Sequence, residues 1–253
     1  MINRVIGNKL IPAGVRKDIV ERTDGIPLFV EELTKSVLEA GSEEEVQQTP
    51  ASVRHTTLVP ASLHASLMAR LDRVGSAKEV AQIGAAIGRE FSHALLSTVA
   101  RKQEVDLGSA LDRLVRTGVL LRQGVPPHET YLFKHALVQD AAYGTLLREP
   151  RRALHARIAE TLEGRFADMA ETQPELLARH YTEAGLLEKA ADLWGKAGQR
   201  SLARAALLEG TEQLKRALDQ IATLPVTPAL RREEIKLSLA TSKCPSSRRS
   251  AKG

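Results

Sequence analysis

The chain has 253 residues, room for two or three small domains, with 43% hydrophobic and 26% charged residues, the balance of an ordinary globular protein. A single cysteine, Cys244, excludes an internal disulfide; no apolar run approaches a membrane span, and the opening MINRVIGNK lacks a signal peptide's apolar core, so the expected compartment is the cytoplasm. The net charge of +5 sits at one end: residues 229–253 hold seven Lys/Arg and two Asp/Glu, leaving 29 of each sign (36 less 7, 31 less 2) over the preceding 228, so the basic pI is no sign of a nucleic-acid-binding body.

Residues 1–41 read as two helices. The first centres on Lys17–Arg22, with Val15, Ile19 and Val20 apolar. The second is written RTDGIPLFVEELTKSVLEAG. Thr23 and Asp24 are candidate caps, and Pro27 suits a first helical turn, where its missing N–H is not needed. Glu31 and Glu32 favour the positive end of the helix dipole. Leu28, Val30, Leu33, Val37 and Leu38 form an apolar stripe, and Gly41 stops the helix. Residues 42–59 are polar and aperiodic, a linker.

Residues 60–148 begin with four helices: ASLHASLMARLDRV, with Leu63, Leu67 and Leu71 at four-residue steps; a second through Val80, Ile83 and Ile87; SHALLSTVA from Ser92; and a fourth from Leu107 to a stop at Gly118. VLLRQ and TYLFKH around GVPPHE read as a β-hairpin, which after such helices suggests a winged helix with the hairpin as wing. HALVQDAAYGTLL follows as a further helix. Residues 149–240 start with EPRRALHARIAETLEGRF. They continue in helices where Ala184, Gly185, Ala190, Ala191, Ala197 and Gly198 alternate with Leu176, Tyr181, Leu187, Leu193 and Trp194, as in antiparallel helical repeats, though without a strict 34-residue period. Residues 241–253, TSKCPSSRRSAKG, read as a disordered basic tail.

The order RTDGIPLFVEEL, VPASLHASLMARLDRV, FKHALVQDAAYGTLL with RRALHARIAETLE, then YTEAGLLEKAADLWGKAG resembles the C-terminal half of a STAND/AAA-type signalling ATPase. In particular it resembles the kind attached to bacterial class III adenylate/guanylate cyclases, over roughly residues 1–240. The resemblance implies a mainly α fold in which residues 1–41 are the ATPase lid, 60–148 a winged helix and 149–240 tetratricopeptide-like helical repeats. It also implies that Gly25 and Pro27, the lid's Gly-x-Pro, stand beside ATP and Mg in the intact family. A phosphate cradle needs G-x-x-x-x-G-K-[ST], and that pattern is missing; Gly195-Lys196 is followed by Ala197. The nucleotide core is therefore expected to lie upstream of Met1, and the chain is expected to be a fragment with no catalytic residues and no cofactor of its own. Such a fragment supplies relay and protein-interaction parts, with protein partners on the repeats and a separate nucleotide-binding or cyclase domain.

Two rival readings use other features. A DNA-binding regulator would rely on Arg113, Arg116 and Arg122 beside the wing, a weak patch interrupted by Asp112. A split ATPase or cyclase would have its other half on a second chain. His135, Asp140 and Tyr143 do not share one helix face, and the seven histidines form no H-x-x-x-H pair, so no metal site is expected. Arg151, Arg152 and Arg157 are expected to pair with Glu149, Glu160 and Glu163, and Trp194 and Tyr181 to be core.

Overall fold

The computed structural model describes residues 13–23, 27–40 and 63–242. Thirteen helices and three short strands occur among them, so the protein is mainly α, with one small antiparallel sheet. The linker 42–59 and residues 243–253 of the tail lie outside the described residues.

The chain divides into two compact units. The first contains α1 (Ala13–Thr23), α2 (Pro27–Ala40), α3 (Leu63–Arg73), most of α4 (Ala77–Ile87), α6 (Glu104–Arg116) from Val105 onward, β2 (Leu120–Gln123) through Arg122, the end of β3 (Thr130–Phe133) and α7 (Ala136–Gly144). Val15 and Ile19 of α1 bury against Val30, Leu33 and Val37 of α2. Val20, apolar like Val15 and Ile19, is 52% exposed: adjacent helical residues point about 100° apart, and Ile19 holds the inward position. The Thr23 hydroxyl donates to the Val20 carbonyl and closes α1, while Asp24, the other candidate cap, lies outside the described residues. Leu67 and Leu71 bury the face of α3 that the four-residue spacing marks, Val74 is buried just beyond its end, and Leu107, Leu111 and Leu114 bury the core face of α6. Gly118 ends α6 at φ +68°; its N–H donates to Val115 O and that of Val119 to Leu114 O, a Schellman closure that needs the left-handed conformation.

The second unit holds β1 (Glu90–Ser92), α5 (His93–Ala100), the outer half of the hairpin, α8 (Arg148–Arg165), α9 (Ala167–Thr172), α10 (Pro174–Ala184), α11 (Leu187–Ala203), α12 (Leu207–Ile221) and α13 (Pro228–Ser242). The hairpin arises as the β-type runs require, but a third strand, β1, joins it in the order β1-β3-β2. Three residues, Glu90, Phe91 and Ser92, are too few to show a period of two. Phe91 stacks on Tyr131 with ring centroids 6.1 Å apart, and Ser92 caps α5 through its hydroxyl and the Leu95 N–H.

From α10 to α13 each helix packs on the one before it, and α10 also packs on α8. Tyr181 and Trp194 are core, as their setting among small residues implies. The Trp194 indole N–H donates to the Thr182 hydroxyl at 3.0 Å, and the Arg216 guanidinium lies 5.0 Å from the centre of its ring. The last helix runs through Ser242, two residues beyond the expected end of the repeats, with the Thr241 hydroxyl bonded back to Leu237 O.

Candidate functional site

The densest polar construction in the first unit starts from α2. Val30, Leu33 and Val37 face α1, yet Glu32, on the opposite side, is only 1% exposed because α3 covers it. Arg70 meets it there, itself 4% exposed, and its Nη1 donates to both carboxylate oxygens of Glu32. The Nη2 of Arg70 donates to the carbonyl of Thr117, the residue at the closure of α6. A Cβ on Gly118 would stand 2.9 Å from that nitrogen, so glycine serves both the turn and the guanidinium here. The Ser66 hydroxyl donates to the Glu32 backbone carbonyl at 3.4 Å. One buried charge pair thus ties α2 to α3 and to the end of α6.

Glu31, one residue earlier, faces the start of α7. Its Oε1 accepts from Lys35 at 2.5 Å and from Lys134, and its Oε2 stands 3.8 Å from His135 Nε2. Burial by itself would raise the Glu31 carboxyl; hydrogen bonds from Lys134 and Lys35 more than reverse this and bring it down to about 2. Burial lowers His135, against the pull of Glu31, and burial likewise lowers Lys35. At neutral pH Glu31 is therefore a carboxylate, held between the side-chain nitrogens of Lys35 and Lys134.

Glu31, Glu32 and His135 bring ligand-type atoms within 4.8 Å of one another, a cluster that linear spacing does not reveal because His135 is more than a hundred residues away. Each carboxylate already has its counter-charge, Arg70 on Glu32 and the two lysines on Glu31, so the charge a divalent ion would bring is in place. The arrangement is a lock between helices. Removing either partner of Glu32–Arg70 would leave the other as an uncompensated buried charge.

Gly25 lies outside the described residues, and Pro27 opens α2 with an exposed side chain, one turn before Glu31. Asp140 is exposed while His135 faces Glu31, so the His135, Asp140 and Tyr143 set does not assemble. Two of the three arginines weighed for DNA are engaged within the chain: Arg113 donates to Arg73 O at 2.9 Å, and Arg122 pairs with Asp112, the residue that interrupts the patch. Arg152 pairs with Glu149 at 3.7 Å as expected, whereas Glu163 is approached by Lys189 of α11 at 3.8 Å.

A signal for the lock is present in the sequence. Arg70 falls three residues after Leu67 and one before Leu71, inside the apolar stripe of α3, and an arginine there must find a buried anion. Its partner is not legible in the spacing, because Glu32 lies on the face of α2 away from the apolar stripe.

No protein-family model matches the chain. It is similar to an uncharacterized protein of Rhizobium meliloti (strain 1021), 32% identical over 205 residues. The match takes in 80% of this chain but 20% of that protein, so the chain spans about one-fifth of the relative's length; 205 residues at that share put the relative at about 1,000 residues. No described helix is long and apolar enough to cross a membrane.

Proposed function

We propose that the chain is a non-catalytic part of an ATP-dependent signalling regulator of the STAND/AAA type, of the kind attached to adenylate/guanylate cyclases. It works in the cytoplasm and supplies the relay and protein-interaction elements. The observation that carries this reading is the lock: the helix introduced by the Gly-x-Pro motif is joined by Glu32–Arg70 to α3 and the α6 turn, and by Glu31–Lys134 to the entry of α7. A lid helix that moves with nucleotide state would carry those elements with it, which is what a relay requires. The strand order β1-β3-β2, reached through helix, strand, two helices and a hairpin, accords with a winged helix, and the successive packing of α10 to α13 accords with a repeat array. The length of the Rhizobium meliloti relative accords with a module inside a much larger protein.

Calorimetry with Mg-ATP tests the reading on two proteins. This chain, which lacks a phosphate loop, is expected to give no binding heat; the full-length relative is expected to bind in the micromolar range. Tight binding by the chain alone, or none by the relative, rejects the proposal. DNA supplies a second check. Binding to a random duplex is expected to be weak and salt-sensitive, and to fall away when residues 243–253, with Lys243, Arg248, Arg249 and Lys252, are deleted. Sequence-selective binding that survives the deletion would make the protein a DNA reader instead.

A further inference from the structure

His155 of α8 and His180 of α10 are both fully buried in the second unit, and their Nδ1 atoms face each other at 2.8 Å, with ring centroids 5.1 Å apart. Such a contact is a hydrogen bond only if one Nδ1 carries a proton and the other does not. Nε2 of His180 is buried without a hydrogen-bond partner. A proton on that atom would be an orphaned buried donor, so the arrangement of lower cost places it on Nδ1 of His180, donating to the bare Nδ1 of His155. Both rings are then neutral.

We propose that this pair is an acid-sensitive latch: it holds α8 against α10 while both imidazoles are neutral, and protonation releases the seam. Each route to a charged pair meets an obstacle visible in the geometry. A second proton on His155 would set two N–H groups against each other across 2.8 Å. A proton on His180 Nε2 would create a buried cationic donor with no acceptor. The charged groups that act on the pair are Arg151 from α8 and Arg179 and Glu183 from α10; the arginines oppose a positive imidazole, and Glu183 favours one on His155. Around them, α11 directs Lys189 to Tyr181 and Glu163, α5 offers only His93, which pairs with Glu104, and the acidic groups of α9, Asp168 and Glu171, are exposed. Burial lowers both imidazoles, His155 to about 4 and His180 to about 3, whereas a free imidazole titrates near pH 6.5. The opened form therefore takes up protons first: the latch is at full strength above about pH 6.5 and weakens as the pH falls toward the folded values. With two protons bound on opening, the opening constant rises by up to ~100-fold for each unit of pH in that window.

The test uses the full chain and its one tryptophan, Trp194, which is bonded to Thr182 on α10. Denaturant titrations from pH 7.5 to 4.5, read by Trp194 fluorescence, are compared between the wild type and the double variant His155→Leu, His180→Leu. The expected result is that acid shifts the wild-type midpoint strongly and that the double variant loses about two protons' worth of that dependence. Equal pH dependence in the two proteins overturns the proposal. Should the double variant not fold, imidazole nitrogen NMR on the wild type decides. Two rings that remain neutral at pH 5.5 in the folded state uphold the latch, and rings that titrate near pH 6.5 without loss of structure reject it.

Discussion

Arg70→Ala is expected to destabilise the first unit by about 3–5 kcal/mol, because it strands the Glu32 carboxylate in a nearly water-free seam and leaves Thr117 O without its donor. For a protein stable by only about 5–15 kcal/mol such a loss is a large fraction of the whole. The control is the double change Arg70→Met, Glu32→Leu, which removes both charges and keeps the volume filled; it is expected near wild-type stability or above it. Urea denaturation followed by far-ultraviolet circular dichroism reads both. If the single variant matches the wild type, Arg70 and Glu32 are not a buried pair and the lock is wrong. If the double variant is as unstable as the single one, the seam needs the charges themselves, not merely their mutual cancellation. Salt distinguishes the two halves of the site. The pair Glu32–Arg70 is shielded from ions, while Glu31 with Lys35 and Lys134 stands nearer water and weakens as ionic strength rises.

Gly198→Val is expected to cost the second unit roughly 3 kcal/mol, the upper part of the range for overpacking. A Cβ at Gly198 would lie 2.6 Å from Leu214 Cγ and 3.0 Å from the Gly210 carbonyl oxygen, and one at Gly210 would lie 2.8 Å from Leu202. The helices α11 and α12 therefore touch nearly backbone to backbone, and Leu214, fully buried, has nowhere to retreat. The few tenths of a kcal/mol that valine gains over glycine within a helix do not offset this. Gly164→Ala in α8 is the control: its Cβ would meet nothing within 4 Å, so the entropic gain of up to about 1 kcal/mol appears alone and the protein is expected to become slightly more stable. Trp194 reports on the seam directly, since Arg216 of α12 sits over its ring. Wild-type stability in Gly198→Val would mean that α11 and α12 are not in close approach.

The mainly helical character, the hairpin, and the core positions of α3, α6 and α10–α12 follow from local information. Leu67 and Leu71, or Leu107, Leu111 and Leu114, repeat at helical spacing whatever packs on them, and the run of small residues from Ala190 to Gly198 requires a close neighbour before that neighbour is known. Gly118 likewise announces its own turn. Tertiary structure alone decided the rest. A helix has more than one side, and on the second side of α2 Glu31 and Glu32 read only as residues suited to the helix dipole until α3 and the start of α7 are laid upon it with Arg70 and Lys134. The three-residue strand β1 has no period to detect and exists because β3 offers it an edge. His155 and His180, 25 residues apart, become a pair only when α8 and α10 meet; their separation carries no mark of it, because the periodicity of one helix says nothing of its rotation against another.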